Sequence, residues 1–446
     1  MEENHKKDNN EMSEGGIEGN KENENDGAVS QIQKEDLVKK LTKKDPNLEE
    51  EVSGVRLESA NLARKKTREE EEEPVLSLSD YVRRRFGLFA QYLVSLMCLY
   101  SMMIGLIAEY TAIGDLFEFV VGAERIMIVL MIGLVTSFYT SYGGLLASIK
   151  MDQFQGIFVI ILNIIFAVYM LATFRLDTDR PLTENLDANM LGYDSIAALN
   201  IGLAGSVIYS ESFWQKAWIA SSERDLRKGS LIAALIVIVI VFLFGFYGFL
   251  AAWNGMEASS FNLALFALFQ NNEPSWMIVI IVNMAVIMNE SAVDSYQIGI
   301  VSSISTCFLK NKPLYWTQIL VLLINAPLIW LSLASYPIMN LFLSANLITA
   351  AGSIPLLLGL SNRLKPYYNT INFVLGLVGG LILASIWGWK EVGDFEAGLN
   401  LIFYLEYRWQ SFVISVAGGM GISLITAGVI WGWKKLRGMR KVGMNN

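Results

Sequence analysis

The sequence predicts an all-α integral membrane protein with about ten spans. Three observations carry that prediction. Hydrophobic residues make up 53% of the 446-residue chain and the mean hydropathy is +0.39, too apolar for an ordinary soluble protein. Ten segments reach the length of about 20 mostly apolar residues that a bilayer-spanning helix needs. Lys and Arg in the connections alternate between dense and sparse, as spans of alternating direction require.

The elements follow in chain order. Residues 1–78 read as a disordered, charged cytoplasmic tail. Residues 1–74 hold 21 acidic and 13 basic residues, whereas the rest of the chain holds 22 of each. The net charge of −8 therefore belongs to the tail. It contains no aromatic residue and too little apolar surface to offset the entropy of ordering. A weakly helical patch is expected from Leu37 to Lys66. The Glu69–Glu73 run reads as a solvated charge block. No apolar core of a signal peptide is present in it.

The predicted spans are 87–109, 125–143, 154–174, 195–216, 229–253, 276–305, 314–334, 337–360, 371–389 and 411–433. They form a transmembrane domain over 79–433, followed by a basic tail over 434–446. With the N-terminus in the cytosol, the cytoplasmic connections hold 17 Lys and Arg residues and the opposite side holds 5. Both termini are therefore expected in the cytosol of a multi-pass protein, by default at the plasma membrane. The loop FRLDTDRPLTENLDANMLGYD is expected outside, and SSFNLALFALFQ as a short external surface helix. Trp214 and Trp218 read as interfacial belt residues, and Glu109 as an interfacial residue ending the first span.

Side-chain chemistry excludes several classes. The only histidine is His5, in the tail, so histidine zinc sites and Ser–His or Cys–His nucleophiles are not expected in the folded part. Cys98 and Cys307 lie in apolar segments and suggest no disulfide framework. The chain reads as a non-enzyme with no resident cofactor and no nucleic-acid partner.

The sixth span is the informative one. MAVIMNESAVDSYQ, Met284–Gln297, places Asn289, Glu290, Ser291, Asp294, Ser295 and Gln297 inside an apolar run. At about 1.5 Å per residue from Trp276, Glu290 lies roughly 20 Å and Asp294 roughly 27 Å along the helix. Ionisable groups at such depth cost at least about 2.5 kcal/mol each unless they face protein or water. Glu290, Asp294 and Gln297 recur at i, i+4 and i+7 on one face, with Ser291, Ser295 and Ser302 beside it. Two readings stand: a buried network that holds helices together, or an ion or solute pathway. Asp152 has two readings as well, an anion at a helix start or a residue lining the inner cation path.

Three blocks then show a resemblance. They are YTSYGGLLASIKMDQFQG from Tyr139, FWQKAWIASSERDLRKGS from Phe213, and DSYQIGIVSSIS from Asp294. In order and spacing, Tyr139, Thr140, Gly143, Gly144, Ala147, Asp152 and Gln155 resemble the pattern of the sodium:solute symporter family, with Met151 replacing its usual threonine. The likeness runs from about Leu78 to Asn362. It is strongest to the fungal, urea-permease-like branch, through Asp294–Gln297 and Leu356–Asn362.

That resemblance implies an inverted-repeat architecture of five plus five helices and transport by alternating access. It implies a small polar solute, urea or a similar compound, moved across a lipid bilayer with Na+ or H+ as coupling ion. The fourth span would be a broken helix, with Gly202 and Gly205 supplying unwound backbone and Glu211 beside the cavity. LSLSDYVRRRFG resembles the entry to the third core helix. The peripheral helix and first two core helices are therefore expected to be absent, and the first repeat incomplete. Two alternatives accompany this reading: a transport-dead paralogue acting as receptor, sensor or assembly partner, and a truncated gene model of a complete symporter. Oligomeric state is not specified by the sequence.

Overall fold

The computed structural model describes residues 77–173, 190–256, 261–269, 274–308, 314–334, 338–400 and 408–443. All of them belong to the unit Val75–Asn446. The predicted tail, its Leu37–Lys66 patch and most of the predicted external loop after Thr173 lie outside the described residues. So do the last three residues of the predicted basic tail.

Among the described residues, twelve α-helices and one 3-10 helix follow one another: α1 Leu78–Phe86, α2 Leu88–Val121, α3 Arg125–Thr173, α4 Met190–Ile208, α5 Glu211–Trp218, α6 Glu223–Trp253, the 3-10 helix Phe261–Phe269, α7 Ser275–Phe308, α8 Leu314–Ser332, α9 Ile338–Leu358, α10 Thr370–Val392, α11 Phe395–Asn400 and α12 Trp409–Gly443. No strand occurs among the described residues. Each predicted span finds its helix. α2, α6, α7, α10, α12 and both halves of α3 are long and apolar enough to cross a bilayer, and α4 with α5 makes a bent pair. α8 and α9 have shorter apolar stretches, Gln318–Ser332 and Phe342–Leu358.

Local chemistry sets the breaks. α3 bends at Gly144, whose φ of 53° and ψ of −150° belong to a region that side chains exclude. It divides α3 into α3a, Arg125–Tyr142, and α3b, Gly144–Thr173. One residue thus joins two spans, where the sequence reading placed a connection as far as residue 154. α4 and α5 meet at 58° across Tyr209 and Ser210. α1 starts at Ser77, whose hydroxyl accepts from the Asp80 amide at 3.0 Å.

Packing centres on α2, α7 and α3, with α9 linking α2 to α4, α10 and α12. The main core joins Val94, Leu106 and Tyr110 of α2 to Val129 of α3a, Val293 and Ile300 of α7, and Ala351 of α9. A buried polar network crosses the same region. Gln297 Nε2 donates to Thr136 Oγ1 at 2.9 Å and Tyr110 Oη at 3.2 Å. Tyr110 Oη donates to Asn325 Oδ1 at 2.7 Å, and Asn325 Nδ2 to Ser137 Oγ. α1 is stapled to the end of α9: Arg85 Nε donates to the Gly359 carbonyl at 2.7 Å, and Arg85 Nη2 to that of Tyr368 at 3.0 Å.

Several expectations are corrected. α2 runs unbroken to Val121, so Glu109 lies inside a helix rather than at its interfacial end. The 3-10 helix is packed rather than superficial, with Leu263, Ala267 and Leu268 buried. Trp214 stacks on Tyr81 at 6.3 Å and packs against Trp218 at 5.1 Å. Its indole N–H donates to the Ile208 carbonyl at 2.8 Å, which ties α5 back to the end of α4. The predicted basic tail from 434 is helical to Gly443, a continuation of α12.

Candidate functional site

The bend between α4 and α5 aims Lys216 back toward α7. Its ammonium donates to Asp152 Oδ2 at 2.6 Å and to Ser295 Oγ at 3.0 Å. Ser291 Oγ donates to the other carboxylate oxygen, Asp152 Oδ1, at 2.8 Å. Asp152 lies within α3b, past the Gly144 bend, and not at a helix start as one sequence reading had it. Three elements, α3b, α5 and α7, are thus joined through one carboxylate and one ammonium. Both side chains keep some exposure, 26% for Asp152 and 30% for Lys216.

These groups line a cavity of about 550 Å³. Its wall also includes Ser101 and Met102 of α2, Gln155 of α3b, Ser206 and Ser210 around the bend, Met288 of α7 and Asn346 of α9. Apolar surface dominates, with polar groups convergent at a few points, as in a small-solute site.

Some buried polar atoms around this cavity lack a partner within the protein. Gln155 is 7% exposed, and its amide faces the Glu290 carboxylate without a close hydrogen bond. Asn346 Nδ2 is likewise unpaired. Asp294, 1% exposed, accepts from Thr140 Oγ1 at 2.6 Å through Oδ1, while its Oδ2 is unpaired. The Ser148 hydroxyl is buried and faces the Asp294 carboxylate without a close hydrogen bond. Each such group costs about 1–3 kcal/mol if left unmade. Gln155 and Ser148 belong to α3b, Asp294 to α7 and Asn346 to α9.

The other predicted site residues separate. Ser291 and Ser295 line the cavity, together with Asp152 and Gln155. Glu290 stands beside Gln155, half-buried. Gln297 belongs to the α2–α3a–α7–α8 network described above. Asn289 turns toward α2 and donates to the Glu109 carbonyl and carboxylate, each at 2.9 Å. Gly202 and Gly205 lie within the continuous helix α4, so the expectation of unwound backbone there is corrected. The break comes later, at Tyr209–Ser210. The glycines serve close packing: a Cβ on Gly205 would sit 2.6 Å from the Ala350 amide nitrogen, and one on Gly202 3.2 Å from Asn346 Cβ. Glu211 is fully buried but does not line the cavity. It faces Ser77 and the first backbone amides of α1, where the helix N-terminus favours an anion.

Two residues escaped the sequence reading, and a third was misplaced by it. Lys216 counted as a loop cation because it adjoins a basic stretch; its position between Trp214 and Trp218 was the available signal. Asn346 gave none beyond being a lone amide in an apolar helix. Glu109 was read as interfacial because the helix length was underestimated. Among the described residues, no three His, Cys, Asp or Glu side chains cluster as a metal-binding group.

No protein-family model matches the chain. It is 28% identical over 379 residues to the spermidine transporter DUR31 of Candida albicans, covering 81% of this chain and 73% of that protein. Its structure is similar to the substrate-bound, outward-open state of a Na+-coupled sialic acid symporter, with a TM-score of 0.55 and 17% identity. That match covers 79% of this chain and 77% of the other.

The fold is that of an all-α membrane transporter.

Both relatives are transporters rather than enzymes. In that fold, the bent α4–α5 pair, the α7 stripe and Asp152 occupy one neighbourhood, which the sequence motifs alone had placed in three separate blocks.

Proposed function

We propose that this protein is a secondary active transporter of the sodium:solute symporter type. It moves a small polar solute across a membrane by alternating access, coupled to Na+ or H+. The observation that carries the reading is the Asp152–Lys216–Ser291–Ser295 cluster at the bend of a broken span, on the wall of a solute-sized cavity. A broken helix beside a cavity allows irregular backbone at membrane depth, and its short half, α5, is the natural moving part.

Lys216 suggests how coupling works. Its ammonium sits on Asp152 where a mobile cation would bind. A coupling cation competes with this tethered one. Displacing Lys216 frees α5 from α3b and α7, and release of the cation restores the latch. Asp294 Oδ2, Thr140 and Ser148 form the next acidic and hydroxyl-bearing step along the same helices.

An organic amine is the first candidate solute, supported by the spermidine transported by the C. albicans relative; a urea-like compound is the second. The test is uptake into proteoliposomes containing the full chain, with radiolabelled spermidine and urea, under an imposed Na+ or H+ gradient. Gradient-dependent accumulation is expected for one of them. Well-folded, inserted protein with no flux of either solute under either gradient would reject the transporter reading and favour the transport-dead paralogue.

A further inference from the structure

A second cavity lies further toward the Trp276 end of α7. It has a volume of about 420 Å³ and is bounded by α2, α6, α7 and the 3-10 helix. Met288 and Ala292 line both cavities, so the two adjoin along one helix.

The chemistry of this cavity is one-sided. Its polar lining consists of Glu109, Asp115 and Asn289. Asp115 is already neutralised by Arg125 at 3.0 Å. Glu109 has no cation partner among the described residues; its carboxylate accepts a hydrogen bond from Asn289 and lies near the Tyr296 phenol. Both protons of the Asn289 amide group point at acceptors, the Glu109 carbonyl and Oε2. That fixes the amide orientation and leaves Asn289 Oδ1 as an acceptor. Asn289 is 6% exposed, and this Oδ1 is buried and unpaired. The cavity thus has a carboxylate without a cation partner, backed by the buried, unsatisfied amide oxygen of Asn289, and its lining side chains leave no donor to meet a ligand acceptor.

The rest of the lining is apolar. It includes Phe244 of α6, Phe266 of the 3-10 helix and Met284 of α7. A bare alkali ion would find few oxygens here. A donor-only head on a methylene stem matches both halves, since an ammonium has three donors and no acceptor and aromatic faces attract cations.

We propose that this second cavity is a binding site for an alkylammonium or short polyammonium solute, with Glu109 and Asn289 Oδ1 holding one amine. It rests on the transporter reading and makes the site a waiting position next to the Asp152 cavity. The occupant reaches the inner cavity past Met288 and Ala292.

The test is equilibrium binding to the full chain in nanodiscs, with radiolabelled butane-1,4-diammonium. Unlabelled diammonium should displace it, whereas butane-1,4-diol, of the same length, should not. Glu109→Gln keeps the shape and removes the charge. It should weaken binding about 10- to 100-fold, the range for one charged hydrogen bond. Ala112→Phe fills the cavity without touching a polar group and should abolish binding. It keeps the test decisive if Glu109→Gln yields no monodisperse protein. Equal displacement by the diol, unchanged binding in both variants, or full displacement by millimolar Na+ would overturn the proposal. Binding without flux in proteoliposomes would support this site while rejecting transport. Diammonium flux untouched by both substitutions would do the reverse.

Discussion

Replacing Lys216 by Met tests the latch directly. The substitution keeps the aliphatic length and removes the ammonium. Asp152 then retains only the Ser291 hydroxyl. Stranding one partner of a fully buried pair costs about 3–5 kcal/mol, whereas exposed pairs are worth about 0–1 kcal/mol. With side chains 30% and 26% exposed, this pair falls between, near 2 kcal/mol. That is about a 30-fold change in an equilibrium constant. If the ammonium competes with a free cation for Asp152, its loss should both destabilise the protein and raise Na+ affinity by up to about 30-fold. The assay is the thermal-denaturation midpoint in nanodiscs as a function of NaCl, with N-methylglucamine chloride holding ionic strength constant. Lys216→Met should melt lower without Na+ and recover as Na+ binds the folded state. The Asp152→Asn/Lys216→Met double variant should show no such recovery. A single variant no more responsive to Na+ than the double variant would refute the competition argument.

Three further outcomes are expected. Gly205→Ala should lower stability by about 1–3 kcal/mol, the usual cost of overpacking, because its Cβ meets the Ala350 backbone at 2.6 Å; Gly202→Ala, at 3.2 Å from side chains, should cost clearly less when both are compared by detergent melting. Asp294→Asn should abolish gradient-driven uptake while surface amount stays near wild type, since the Thr140 hydrogen bond can be kept by the amide oxygen; a loss of folded yield in proportion to flux would mark Asp294 as structural instead. Epitope tags at residues 2 and 446 should stain only permeabilised cells, and staining of a C-terminal tag on intact cells would overturn the proposed orientation.

Span positions were legible because apolar length is a one-dimensional signal. Helix ends were not. α2 passes Glu109 and reaches Val121 because apolar residues on the same helix, such as Leu106, Tyr110 and Ile113, pack into the core on either side of it. Glycines illustrate a second limit. Gly144 and Gly205 look alike in sequence, but one supplies a backbone angle and the other supplies room for Ala350. The α7 stripe was visible by its period, yet its members divide among three environments: Gln297 into a helix-joining network, Ser291 and Ser295 onto a cavity wall, and Asn289 toward Glu109. Periodicity gives the face of a helix and cannot name what the neighbouring helices bring to it. Lys216 shows the same limit, because its partner Asp152 is 64 residues away.

The partition shared by the two cavities has a kinetic consequence. At α7 it consists of Met288 and Ala292, and only the methionine has a side chain long enough to swing. An unbranched thioether changes rotamer on the picosecond-to-nanosecond scale when it is not locked in a core, and Met288 is 36% exposed. Traffic between the chambers is then faster by orders of magnitude than the microsecond-to-millisecond swing of a half-helix. On the proposed mechanism the release of α5 sets turnover, and a bulkier aromatic residue at 288 should convert the quick door into the slow step.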